Sequence, residues 1–172
     1  MEIKSLEDCY KFRLLRKIKP DKEKSKRSLE ISNQRLKEAE KAIKLKIFQY
    51  AILESYMAMF HSARALLYKD GIQEKSHFAI YIYLKEEYSN KVPLNILNLL
   101  NIHRTERHET LYGLEYNPEK EDANRALEDA KNFVKEIERV LNSKKEINSK
   151  NNNQVNKELK EKTIKDKKQK EE

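Results

Sequence analysis

The chain has 172 residues, of which 38% are hydrophobic and 38% are charged, and its formal net charge is +8. That apolar content is enough for one modest core but not for two. Two glycines and three prolines are too few for the frequent turns of a β-rich protein, so the composition favours helices. A single cysteine, Cys9, excludes an intrachain disulfide and a multi-cysteine metal site, and we expect it to be a small buried residue.

The two ends of the chain differ in composition from its middle. Charges interrupt Met1–Lys19 every few residues, so it does not have the apolar core of a signal peptide. No apolar run elsewhere approaches the ~20 residues that span a bilayer, and we expect a cytoplasmic protein. Lys144–Glu172 mixes lysines with acidic residues, which favours a solvated, disordered tail over an arm that binds polyanions. We therefore predict an N-terminal extension (residues 1–20), a helical bundle (21–142) and a charged flexible tail (143–172).

The first predicted helix starts at Asp21, just after Pro20, and continues to Lys46 with apolar residues along one side. The second, Ile47–Tyr68, is apolar nearly all round, which is typical of a helix enclosed by others. Gly71 is suited to cap its C-terminus. Small residues recur along one face of this helix, where we expect a neighbouring helix to approach closely: Ala51, Ser55, Ala58, Ser62 and Ala65.

The same helix carries a polar stripe. Glu54, His61 and Arg64 are seven and three residues apart, which puts them on one face. Polar side chains on a largely buried helix must reach water, a partner or each other. We therefore predict that this stripe lies at the seam of a homodimer, although an ordinary hydrogen-bonded core histidine is the simpler interpretation of His61 alone.

Three further helices complete the pattern. One starts near Ser76 and is broken at Ser89, and the next begins at Pro93 and stops near Gly113. The last begins at Pro118 and keeps an apolar stripe with the period of an α-helix. The predicted fold class is therefore all-α, an up-and-down bundle of four to five helices.

The end of the fourth helix carries the residues best suited to chemistry. Arg104, His108 and Tyr112 are spaced by four residues and share one face, with Arg107 beside them. Two guanidiniums offer forked donors to a phosphate group, and a neutral His108 can exchange a proton with a ribose hydroxyl. The alternative is an ordinary charged helix end, with Tyr112 covering the edge of the core. A glycine-rich phosphate loop and an HExxH motif are absent, so we predict no metal or cofactor.

Part of the chain resembles a known family, the UPF0332 family of HEPN-domain proteins. The resemblance is carried by Ser55–Tyr68 (SYMAMFHSARALLY), Gly71-Ile72 and Lys75-Ser76-His77, and it covers roughly residues 25–141. It implies a HEPN-type bundle of four to five helices that forms a homodimer and is encoded beside a minimal nucleotidyltransferase. It further implies a type VII-like toxin–antitoxin pair, in which the HEPN protein is a metal-independent endoribonuclease.

The ribonuclease signature implied by the resemblance is an Arg followed, after four to six intervening residues, by a His. Arg107 and the polar His108 match its start, but Tyr112 stands where the histidine is expected. One hypothesis is a ribonuclease in which Arg107 and Arg104 hold the phosphate, His108 moves protons and Tyr112 positions the ribose.

Two other hypotheses stay open at this point. The chain can be a non-catalytic module that docks a nucleotidyltransferase together with a nucleotide or RNA, or it can be a plain structural bundle. In a variant of the first hypothesis, Tyr112 or Tyr116 accepts AMP from the nucleotidyltransferase as an inactivating tag.

Overall fold

The computed structural model describes residues 3–113 and 117–143. These ranges contain six helices and a two-stranded antiparallel ribbon. In chain order the elements are α1 (Leu6–Lys11), β1 (Leu15–Lys17), α2 (Lys22–Lys44), α3 (Phe48–Asp70), β2 (Ile72–Glu74), α4 (His77–Tyr88), α5 (Leu94–Tyr112) and α6 (residues 120–143). The predicted all-α bundle is confirmed, and the ribbon is an addition to it. Within the same ranges, no helix has both the length and the apolar character that crossing a bilayer requires.

The chain divides into two compact units, Met1–Glu138 and Arg139–Glu172. In the second unit, the described residues are the final positions of α6, where Ser143 Oγ donates a hydrogen bond to the carbonyl oxygen of Val140 at 3.0 Å. The rest of the predicted tail lies outside the described residues, and so does Tyr116.

Helices α2 and α3 pack antiparallel through small side chains. Asp21 caps α2 as predicted, since its carboxylate accepts a hydrogen bond from the backbone N–H of Lys24 at 2.9 Å. Serine hydroxyls of α2 donate to backbone carbonyl oxygens of α3 in the pairs Ser25–Ala65, Ser28–His61 and Ser32–Ala58, at 2.7, 2.8 and 2.7 Å. A side chain as short as serine reaches the carbonyl of another helix only where the two backbones lie close together. The predicted small-residue face of α3 is therefore the face that α2 covers.

Helix α3 lies at the centre of the core of the first unit. Ala58 and Leu67 are both fully buried, although nine residues of helix separate them and they point to opposite sides of it. A further group of buried side chains joins α2, α3 and α6 through small residues: Ala42, Ala51, Ile52, Ala123 and Ala126. The nearly all-apolar sequence of this helix is therefore explained by neighbours on several sides.

The ribbon joins the N-terminal segment to the segment that follows α3. β1 pairs with β2 in the register Leu15–Glu74, Arg16–Gln73 and Lys17–Ile72. Gly71, which caps α3 in the left-handed conformation with φ 75°, sits so close to this segment that a Cβ would lie 2.6 Å from the carbonyl oxygen of Ile18. Cys9 is buried as expected, and burial raises the pKa of its thiol. The described residues of the predicted N-terminal extension are thus held against the bundle.

Candidate functional site

Helix α5 presents Arg104 and Arg107 at the edge of its buried face, where both side chains are half-buried. The Arg107 guanidinium lies over the ring of Tyr56, on α3, at 5.7 Å from the ring centroid. The Arg104 guanidinium lies over the ring of Phe78, on α4, at 5.3 Å. A ring beneath a guanidinium stabilises the cation without neutralising its charge.

Neither of these arginines has a carboxylate partner within residues 3–113 and 117–143. The Nε atom of Arg104 donates to the side-chain oxygen of Asn101 at 3.0 Å, which is a neutral acceptor. Arg35 and Arg64 differ, because they lie 3.0 and 2.7 Å from a glutamate oxygen of this same chain. No described carboxylate therefore neutralises Arg104 and Arg107, which are partly buried and present the forked donors that suit a phosphate group.

Next to the arginines, α3 and α4 bring Tyr56 and His77 together. The Tyr56 hydroxyl lies 2.6 Å from Nδ1 of His77, the first residue of α4. The ring of Phe60, one turn along α3 from Tyr56, stacks on the imidazole with centroids 4.1 Å apart and planes inclined by 21°. The orientation of His77 is thus fixed by a hydrogen bond at one nitrogen and a ring against its face.

Burial and nearby charge keep both members of the Tyr56–His77 contact uncharged. Burial raises the pKa of Tyr56 far above its ordinary value, against the smaller opposite effect of Arg107 and Arg104. Burial also lowers the pKa of His77, and the charges of Arg107, Arg64 and Arg104 lower it further. A phenol that keeps its proton donates it to Nδ1, so the neutral imidazole carries its own proton on Nε2.

The predicted residues His108 and Tyr112 stand apart from this contact. Both side chains are exposed, Tyr112 to 70%. Their rings meet edge to face, with centroids 5.0 Å apart. The structure therefore brings Arg104 and Arg107 together with Tyr56 and His77, whereas His108 and Tyr112 form a separate exposed pair at the end of α5.

The predicted polar stripe of α3 is divided among different partners. Nη1 of Arg35 contacts Glu54, and Nε of Arg64 lies 2.7 Å from a carboxylate oxygen of Glu74 in β2. His61 is half-buried, and burial together with the charge of Arg64 lowers its pKa to about 4. Glu54 and Arg64 thus form ion pairs within the chain, and the dimer seam stays a prediction.

A buried histidine anchors α5 next to the arginines. His103 is 1% exposed, and its Nδ1 and Nε2 atoms lie 2.7 Å from Glu106 and 2.9 Å from Asp129 of α6. Burial lowers the pKa of His103, but the two carboxylates outweigh burial and raise it. Because carboxylates of α5 and α6 lie at its two ring nitrogens, His103 links the part of α5 that carries Arg104 and Arg107 to α6.

Tyr56 and His77 belong to the candidate site, although the spacing of residues along one helix does not select them. Both residues stand in the segments that carry the family resemblance, but neither is among the residues predicted for the site. Their contact joins two helices, so spacing within either helix does not reveal it. Among the described residues, no group of three or more His, Cys, Asp or Glu side chains is arranged to hold a metal ion.

Comparison with known proteins gives one result that bears on this arrangement. The model of the HEPN domain matches residues 25–140, which is more than half of the chain. Comparison with curated proteins found no matching relative. The match spans α2 to α6 and includes Tyr56, His77, Arg104 and Arg107. With its all-helical architecture and this match, the chain belongs to the HEPN-domain family.

Proposed function

We propose that the chain is the HEPN component of a cytoplasmic toxin–antitoxin pair, of the UPF0332 and type VII-like kind, and that it binds RNA by its phosphate groups. One observation carries the proposal: Arg104 and Arg107 are half-buried over aromatic rings and have no carboxylate partner in the described ranges. A HEPN domain is consistent with a ribonuclease or toxin-type module, and also with nucleotide binding. A phosphate group supplies the negative charge that these two guanidiniums do not find among the described residues.

The proposed activity is metal-independent cleavage of RNA by a homodimer. Arg107 and Arg104 hold the scissile phosphate, His108 exchanges protons and Tyr112 positions the ribose. The exposure of His108 and Tyr112 supports this assignment, because side chains that face solvent in one protomer are available to a site shared with a second. HEPN domains often dimerise, which fits such a shared site.

RNA binding is the first test. We expect Arg107→Ala and Arg104→Ala each to weaken binding of a labelled single-stranded RNA about tenfold, as measured by fluorescence anisotropy. Each loss also reduces the slope of log affinity against log salt by about 0.7, the value for one phosphate contact on a single strand. Arg27→Ala is the matched control, since this arginine is exposed on α2 and pairs with Glu30. Equal losses in all three variants would show a general charge effect and would contradict the proposal.

Cleavage and toxicity form the second test. We expect the purified protein to cleave structured RNA in EDTA, and we expect Arg107→Ala and His108→Ala to abolish this cleavage. In cells, expression of the chain should arrest growth and co-expression of the neighbouring nucleotidyltransferase gene should relieve the arrest. Cleavage that persists in Arg107→Ala would contradict the role proposed for this arginine, and no cleavage by the wild type would leave the non-catalytic module as the function.

A second candidate function is that the chain is the substrate of a nucleotidyltransferase, which attaches AMP to Tyr112. The 70% exposure of Tyr112 favours it. In this reaction the Tyr112 oxygen forms a bond to the α-phosphorus of ATP, pyrophosphate leaves with the bridging oxygen, and the phenolic proton passes to solvent. Intact mass spectrometry after incubation with the nucleotidyltransferase and ATP should show the addition of AMP. Tyr112→Phe should remove this addition, while Tyr116→Phe tests the other acceptor predicted from the sequence.

A further inference from the structure

We infer that His77 is a third phosphate ligand beside Arg104 and Arg107, and that it takes up a proton when the phosphate group binds. The inference rests on the proposed function, because it takes the phosphate to belong to RNA. It assigns a direct role to a residue of α4 that lies outside the ribonuclease signature on α5.

The geometry leaves one ring nitrogen of His77 for a ligand. The Tyr56 hydroxyl occupies Nδ1 at 2.6 Å, and Phe60 covers one face of the ring. Within residues 3–113 and 117–143, no hydrogen-bond partner lies at Nε2. Because the Tyr56 hydroxyl donates to Nδ1, the neutral ring presents Nε2–H as a donor, which is what a phosphate oxygen requires.

The arginines of the phosphate site add to the effect of burial in lowering the pKa of His77. Arg107, Arg64 and Arg104 all act on this imidazole, and Arg107 and Arg104 also act on Tyr56. The two guanidiniums, which have no carboxylate partner in the described part of the chain, therefore share one electrostatic environment with the Tyr56–His77 contact. A phosphate group held by both arginines adds its negative charge to that environment.

The charged and titratable groups around His77 decide whether it gains or loses a proton when phosphate binds. On α3 these are Tyr56, His61 and Arg64, and on α5 they are Arg104 and Arg107. Glu74 of β2 is engaged by Arg64. Without a ligand the surrounding charge is positive and disfavours imidazolium; a bound phosphate reverses this and raises the pKa of His77.

The proton comes from solvent and bonds to Nδ1 of His77. The Tyr56 oxygen then accepts the hydrogen bond that its hydroxyl donated before, so the contact survives the change of charge. Nε2–H keeps its direction and becomes a charge-assisted donor. By linkage, affinity for the phosphate group rises as pH falls through the pKa of His77 in the complex, and it levels off below the pKa in the free protein.

Calorimetry of the full chain tests this inference. The probe is a short oligouridine with 2′-O-methyl groups and a 5′-hydroxyl, which resists cleavage and has no group that titrates near neutral pH. The heat of binding is measured in buffers of different ionisation enthalpy, so that proton uptake appears as a dependence on the buffer. We expect uptake by the wild type near the ordinary pKa of histidine, about 6.5.

Two substitutions of His77 distinguish its role as a hydrogen-bond donor from its uptake of a proton. His77→Gln keeps an N–H near the place of Nε2 but does not titrate, so affinity at higher pH should stay within about threefold while proton uptake is lost. His77→Phe keeps a ring for Phe60 but has no donor, so affinity should fall about tenfold. Circular dichroism checks that each variant is folded. If His77→Phe does not fold, the loss of proton uptake in His77→Gln is the test.

The outcomes distinguish this inference from the proposed function. A wild-type chain that does not bind the probe overturns the proposed function and the inference with it. Binding without proton uptake, or uptake that persists in His77→Gln, overturns only the inference. Uptake that disappears in His108→Gln but not in His77→Gln would assign the proton to the exposed histidine of α5 and would also overturn it.

Discussion

Nη1 of Arg35, on α2, contacts both carboxylate oxygens of Glu54, on α3, at 3.2 and 3.0 Å. The Glu54 side chain is 7% exposed whereas that of Arg35 is 37% exposed, so a buried carboxylate is paired with a guanidinium that reaches the surface. This contact gives Glu54 a partner inside its own protomer. A homodimer seam along α3 would therefore have to rely on His61 rather than on Glu54.

We expect Arg35→Met to lower the free energy of unfolding by about 1–3 kcal/mol, because it leaves the Glu54 carboxylate buried without its cation. Urea denaturation followed by circular dichroism measures the change. The matched control is Arg27→Met, whose pair with Glu30 is exposed and should change stability by less than about 0.5 kcal/mol. Equal effects of the two substitutions would show that the burial of Glu54 does not matter.

The buried His103 makes part of the stability depend on pH. Its pKa is raised above the ordinary 6.5 because Glu106 and Asp129 outweigh its burial. A group whose pKa is higher in the folded state stabilises the protein fully below its unfolded pKa, and this contribution is lost as pH rises through the folded value. We therefore expect the difference in unfolding free energy between the wild type and His103→Asn to shrink as pH rises above about 6.5.

The half-buried His61 affects the pH dependence of stability with the opposite sign. The pH dependence of His103 alone is therefore measured as the difference between the wild type and His103→Asn. The pKa of His61 is lowered to about 4, so its contribution is lost as pH falls from 6.5 toward that value. His61→Asn should therefore flatten the acid side of the stability profile and leave its alkaline side unchanged. A difference between wild type and His103→Asn that grows with pH would contradict the assigned charge state of His103.

Gly71→Ala should be strongly destabilising. The residue has φ 75°, and a Cβ there would lie 2.6 Å from the carbonyl oxygen of Ile18 and 2.9 Å from Cδ of Pro20. The left-handed conformation costs a non-glycine residue about 1–2 kcal/mol, and the contact with backbone adds to that. Gly113→Ala is the control, because its φ of −71° suits any residue. Thermal unfolding should show a clear loss for the first variant and little change for the second.

Ser32 tests the close approach of α2 and α3. Its side chain is fully buried and donates to the carbonyl oxygen of Ala58. Ser32→Ala removes one hydrogen bond and should cost about 1 kcal/mol, whereas Ser32→Leu forces extra volume between the helices and should cost about 1–3 kcal/mol or more. Ser89→Ala, at the exposed end of α4, is the control for chemical denaturation. A tolerated leucine would contradict the close packing of the two backbones.

The helices were predictable because their signals are local. Asp21 and Gly71 mark the ends of α2 and α3 by their own chemistry, and the small residues of α3 predicted which face another helix would cover. The ribbon was not predicted, because strands of three residues show no period. The two strands are also far apart in the sequence, since Arg16 pairs with Gln73. They meet only when the helices between them have folded.

The candidate site was predictable in part for the same reason. Arg104 and Arg107 lie on one helix, so their proximity could be inferred from spacing. The contact of Tyr56 with His77 depends on how α3 meets the start of α4, and no spacing rule within a helix reports it. The lack of a carboxylate partner for either arginine among the described residues is likewise a property of tertiary packing. The roles of His108 and Tyr112 stay predictions.

The ribbon has a practical consequence for the design of expression fragments. The family match begins at residue 25, but β1, the buried Leu15 and the buried Cys9 all precede it. A fragment trimmed to the family boundary would expose the edge of β2 and uncover the apolar surface that these residues shield. Such a fragment would carry an unpaired strand edge next to newly exposed core, which is a combination that promotes aggregation.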